Sequence, residues 1–136
     1  MDIVFIGDSL TFGYGVTKEV SWVDLLTKNL NLEYINKGTN GDTTTGILSR
    51  FYKDVLLSKP KYCFILCGTN DFLLDRSLNS IYENILLMIN DCIANNVKPV
   101  ILTPPYICEK KALIHWSSYP DYATINEHLS VLNNKL

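Results

Sequence analysis

Ile3-Val4-Phe5-Ile6-Gly7-Asp8-Ser9-Leu10 decides the fold. An unbroken apolar run closed by glycine is the pattern of a strand covered on both faces. The strand ends at Gly7 and a serine follows within two residues. Ligands of α/β proteins bind beyond the carboxyl ends of parallel strands, so this is where such a fold would show a nucleophile. Alone, Asp-Ser after a strand also reads as a plain turn. Two later stretches change that reading: Asn36-Lys37-Gly38-Thr39-Asn40-Gly41-Asp42 and Gly68-Thr69-Asn70-Asp71. Each follows its own predicted strand, so three small polar loops are expected to meet at one edge of one sheet.

Working outward, residues 2–7 form the first strand, and a loop over Thr11 to Lys18 follows. A helix is predicted from about Glu19 to Leu30, with Trp22, Leu25, Leu26 and Leu30 at helical spacing. Strands are expected at 32–36 and 62–67, separated by a helix over 43–57 with Ile47, Leu48, Phe51 and Val55 on one side. The clearest helix runs from about Leu78 to Asn95, its stripe built from Leu78, Ile81, Ile85, Ile89, Cys92 and Ile93. A fourth strand spans Val97 to Thr103, with pairing expected only from Val100 because Pro99 cannot donate. Residues 106–120 read as a long loop, and a last helix covers about Asp121 to Lys135 with Tyr122, Ile125, Leu129 and Leu132 inward. The alternation predicts a three-layer α/β/α sandwich with a flavodoxin-like parallel sheet in the order 2-1-3-4.

Composition sets bounds. The 136 residues suit one domain with a real core; 47% are apolar, 19% are charged, and the net charge is −2. Without a basic run, nucleic acid is not an expected partner. No stretch approaches the ~18 apolar residues of a membrane span, and no basic leader or apolar signal region opens the chain. A cytoplasmic location is therefore expected. Cys63 and Cys67 would lie about 13 Å apart along a strand, too far to bridge. With Cys92 on a helix stripe and Cys108 in a loop, the cysteines read as reduced, and their spacing offers no zinc signature.

The three loops could hydrolyse an ester. That chemistry needs a nucleophile, a base, and donors aimed at the oxygen that becomes negative. Ser9 can be the nucleophile, and its own N–H would lie close to the oxyanion. Gly41 can give a second N–H, because substrate approaches closely where no side chain intervenes. Asn70 can give a third donor from its amide. Asp8 reads as an Asx turn and Asp71 as a loop brace, and both, with Leu10 and Tyr106, are assigned to the substrate's surroundings. Trp116 and Tyr119 share the loop of Tyr106 and are expected to line the same pocket. Asp42 or Thr43 would cap the helix that follows, and Asn36 would hold the second loop in shape.

Gly7-Asp8-Ser9-Leu10, Asn36-x-Gly38-x-x-Gly41 and Gly68-x-Asn70-Asp71 resemble, in order and spacing, the first three sequence blocks of the SGNH, or GDSL, hydrolases. The resemblance covers about residues 2–103. It implies Ser9 as nucleophile, Gly41 and Asn70 as oxyanion-hole donors, a small-molecule ester as substrate, and no metal or cofactor. The family's fourth block, Asp-x-x-His, is not found. Ala112 stands three before His115, and Ile125 three before His128. The resemblance also implies a fifth strand and a final helix, on the order of 30 further residues. Residues 1–136 are thus expected to be one C-terminally incomplete domain, open at the fourth strand and inclined to form a homodimer through that edge. His128 reads as a surface residue. His115, in the loop after the fourth strand, is the candidate substitute base. The alternative is a catalytically silent binding module or an inactive fragment. A nucleotide-binding reading lacks both G-x-G-x-x-G and a P-loop lysine.

Overall fold

The computed structural model describes all of Met1–Leu136. Four strands, β1 (Ile3–Gly7), β2 (Tyr34–Gly38), β3 (Tyr62–Leu66) and β4 (Lys98–Leu102), form one parallel sheet in the order β2-β1-β3-β4. The registers pair Gly7 with Gly38 and with Leu66, and Leu66 with Leu102. All four strands therefore end level, and the segments that follow them emerge on one edge. This is the α/β architecture expected from the alternation of apolar strands and amphipathic helices.

The two faces are unequally covered. Val4, Ile6, Cys63 and Ile65 face the larger core with Ile47 and Phe51 of α3 (Thr44–Asp54), Ile81, Ile85, Met88 and Cys92 of α5 (Leu78–Ala94), and Leu129 and Leu132 of α7 (Tyr122–Lys135). Ile3 and Phe5 face Val23 of α2 (Trp22–Leu30) in a small cluster where Trp22 meets Phe5 edge-on. Alternate side chains of one strand thus serve two cores, as strand geometry requires.

Several elements differ from the sequence reading. Ser9 begins a short helix, α1 (Ser9–Phe12), instead of a loop; Asp8 caps it, its carboxylate accepting from the Leu10 N–H at 2.9 Å. α2 starts later than expected, after a 3₁₀ turn at Lys18–Val20, and buries Val23 and Thr27. Leu25 and Leu30 lie exposed, because the inward i, i+4 row is set one residue away from the leucines. In α5 the buried stripe takes Met88 and leaves Ile93 outside. β4 already pairs at Lys98, whose N–H donates to the Lys61 carbonyl. Pro99 falls on the alternate phase, turned to the unpaired edge, so its missing N–H costs nothing. The long loop after β4 contains α6 (Glu109–His115), anchored by buried Ala112. No helix is long and apolar enough to cross a membrane.

Candidate active site

Each strand end contributes one piece. β1 delivers Ser9 two residues beyond Gly7, at the first position of α1. β2 delivers Gly41 three residues beyond Gly38, on a turn closed by Asp42 N–H to the Thr39 carbonyl. β3 delivers Asn70 near the start of α4 (Thr69–Leu73). β4 leads into Tyr106 and α6. Ser9, Gly41, Asn70, Asp8, Leu10, Tyr106 and His115 all line one cavity of about 500 Å³. That volume is of the size that holds a small organic ligand.

Close backbone packing sets these loops. Gly38 has no room for a side chain: a Cβ there would collide with the backbone of Phe12 in α1. Asn36 secures the same junction, its amide donating to the Thr11 carbonyl at 2.8 Å while its oxygen accepts from the Gly38 N–H at 2.9 Å. Gly41 is a different case. Its φ of +74° favours glycine, and a Cβ there would meet nothing within 4 Å. The space it would take is the cavity's.

Three donors stand free or nearly free on this wall. The backbone N–H groups of Ser9 and Gly41 donate to no acceptor in the chain. The Asn70 amide gives one proton to the Asp42 carbonyl at 2.9 Å. Its other contact, to the Asp8 carboxylate, is long at 3.5 Å and so weak. The Arg50 guanidinium braces the surroundings, donating to the Asp42 carboxylate at 2.9 Å, to Asp54 at 2.8 Å and to the Gly7 carbonyl at 3.2 Å. Thr43 caps α3, accepting from the Gly46 N–H.

The two aspartates beside these donors separate. Asp8 lines the cavity yet is only 2% exposed. Burial pushes its carboxyl up to about 6, against the opposing pull of the Leu10 N–H, with the negative charges of Asp42 and Asp71 adding to the rise. Asp71 is 0% exposed and lies beneath the cavity wall, off the surface a substrate would touch. Its two oxygens are held by Thr44, from the N–H at 2.9 Å and the hydroxyl at 2.7 Å. Asn84 supports that hydroxyl at 3.0 Å. Asp71 braces the segment after β3 to that after β2 and does not line the cavity.

The histidines also separate. His115 reaches the cavity from the last turn of α6, without a hydrogen bond to Ser9. His128 lies elsewhere, its ring 5.4 Å from that of Phe72, in a second cavity that also takes Tyr119. Tyr119 is 93% exposed and does not join the cavity of Ser9, unlike Trp116 of the same segment. Tyr14, Cys108 and Lys111 also line that cavity and were not assigned to the site from the sequence. For α6 a signal existed: Cys108, Ala112 and His115 recur at helical spacing. No group of three or more His, Cys, Asp or Glu residues is placed to hold a metal ion.

Comparison with known proteins identifies the family and supports the fold. The model of the GDSL-like lipase/acylhydrolase family matches residues 5–134. A relative from Bacillus subtilis (strain 168), named uncharacterized lipoprotein YqeF, is 34% identical over 134 residues, 89% of this chain and 55% of its own length. An arylesterase from Vibrio mimicus is 30% identical over 137 residues, 95% of this chain and 67% of its own. The structure of a G-D-S-L-family lipolytic protein from Desulfitobacterium hafniense DCB-2 superposes with a TM-score of 0.83 at 26% identity, covering 98% of this chain and 68% of that one. The chain spans about half to two thirds of the length of the curated relatives it matches.

Proposed function

This chain belongs to the GDSL-like lipase/acylhydrolase family, and from that premise we propose that it cleaves a carboxylic ester or thioester through an acyl-serine on Ser9. One observation carries the reading: Ser9, Gly41 and Asn70 line a single cavity, and the N–H groups of Ser9 and Gly41 donate to no acceptor in the chain. In this reading the Ser9 Oγ attacks the carbonyl carbon and loses its proton to a base. The carbonyl oxygen takes the negative charge and receives hydrogen bonds from the three donors. The tetrahedral intermediate collapses, the alcohol leaves with a proton, and water hydrolyses the acyl-serine. Esterase-named relatives support an ester as substrate. In this reading His115 serves as the base; its share of the cavity supports the role, and a catalytic contact can be open before substrate binds.

The bare Ser9 hydroxyl favours a second reading, a hydrolase-like module that binds acylated ligands without turning them over. Hydrolysis of p-nitrophenyl acetate and butyrate by the chain and by Ser9→Ala separates the two. Ser9-dependent turnover that falls again in His115→Ala supports the first, with its base assigned. Rates equal to the Ser9→Ala background reject it. As to compartment, the four free cysteines suit the cytoplasm, whereas the Bacillus subtilis relative is named a lipoprotein; fractionation of the producing cell decides whether this chain is cytoplasmic.

A further inference from the structure

The α6 wall of the cavity carries a charge that the ester chemistry does not use. Lys111 lines the cavity one turn before His115, and buried Ala112 beside it anchors the helix. The chain's five ion pairs engage the N-terminus, Lys37, Arg50 and Lys61, and leave the Lys111 ammonium without a carboxylate. Only one acidic side chain shares the cavity, Asp8, and it is buried with its oxygens turned to the Leu10 N–H and the Asn70 amide. Of the chain's lysines and arginines, Lys111 alone stands on this wall. The rings of Tyr14, Tyr106 and Trp116 line the same cavity. Those rings suit a flat or apolar body, and a lysine on a flexible stem suits an anionic oxygen group at its end.

We propose that Lys111 forms an anion subsite in the cavity of Ser9, so that the preferred ligand is an ester with an apolar body and a carboxylate or phosphate group directed at α6. The inference rests on the hydrolase reading for the word ester, but its core, the anion preference, is a property of binding. Attraction across a partly open cavity is modest and is screened by salt.

Binding is read from tryptophan fluorescence with phenylacetate, benzylphosphonate and benzyl alcohol, which share a ring and differ in charge. Trp116→Phe assigns the signal to the cavity. The expected result is an anionic probe bound about threefold to tenfold more tightly than benzyl alcohol, a preference that shrinks in ~0.5 M salt and disappears in Lys111→Met. The tighter of the two anions names the group the subsite takes. Equal affinity for charged and neutral probes, no binding of any probe, or a preference that survives in Lys111→Met overturns the proposal. The hydrolase reading fails separately: anion preference without Ser9-dependent turnover leaves the subsite and removes the enzyme, and turnover without the preference does the reverse.

Discussion

The side-chain amide of Asn70 donates to the backbone carbonyl of Asp42 at 2.9 Å, tying the segment after β3 to the segment after β2. A primary amide has two protons, and fixing one fixes the direction of the other. The contact to Asp42 therefore orients the remaining proton before any ligand arrives, toward its long 3.5 Å contact with Asp8, and the proposed oxyanion role requires a donor preset in this way. The same bond holds Asp42, the residue after Gly41 and the donor that closes the turn.

Asn70→Ala is accordingly expected to lower kcat for p-nitrophenyl acetate by ~10²–10³ while KM changes little, because the lost interaction strengthens in the transition state. Steady-state kinetics beside the wild-type chain checks this. A rise in KM with kcat intact would remove Asn70 from the oxyanion site and make it a ground-state contact.

Beneath that pair, Thr44 and Asp71 make the second tie between the same two segments. Asp71 is wholly buried, so its carboxylate depends on the Thr44 N–H and hydroxyl for what water would otherwise supply. Thr44→Val keeps the shape and removes the hydroxyl, leaving one oxygen of a buried carboxylate without a partner and the Asn84 amide without its closer acceptor. A loss of stability of about 2 kcal/mol is expected, the size of a hydrogen bond to a charged group. Urea unfolding of the two chains measures it. A change below ~0.5 kcal/mol would mean that the carboxylate finds another donor and that the brace is dispensable.

How much of this was legible in the sequence follows the same division. Ser9 and Asn70 could be placed at strand ends because each stands a few residues beyond an apolar run, whereas β2 (Tyr34-Ile35-Asn36-Lys37-Gly38) is no such run and Gly41 could be placed only by its glycine-rich turn. The strand order then brings three distant segments together without further information. The α6 wall could not be read in the same way. Pro104-Pro105 and a mixed aromatic and polar segment leave only the spacing of Cys108, Ala112 and His115 to mark a seven-residue helix whose cap, Cys108, offers no side-chain bond. Short helices are held by tertiary packing, here through Ala112, and not by propensity. The error in α2 is of another kind. Trp22 and Leu26 do pack, half-buried, against the Phe5 cluster, but Val23 and Thr27 form the buried row one residue on, and Leu25 and Leu30 fall outside both. Asp71 shows the limit for the site itself: adjacency to Asn70 in sequence does not place its side chain in the same cavity, since successive helical residues point about 100° apart.

Asp8 gives the chain a pH dependence whose sign follows from its burial. The folded state raises its carboxyl from 3.8 to about 6, so between those values the folded chain binds a proton that the unfolded chain has released. Stability from this group is fully present below the unfolded value and is lost as pH rises through about 6. Above that, the folded state holds a buried carboxylate at a cost on the order of 3 kcal/mol. Asp8→Asn keeps an oxygen to accept from the Leu10 N–H and removes the charge. The variant is therefore expected to gain on the wild type as pH rises from about 4 to about 7, and to be level with it or slightly weaker at the acid end. Denaturant unfolding of both chains at several pH values across that range checks the difference curve. A difference that stays flat across the range would mean that Asp8 keeps an ordinary carboxyl in the folded chain, and that its second oxygen is better satisfied by Asn70 than a 3.5 Å contact provides.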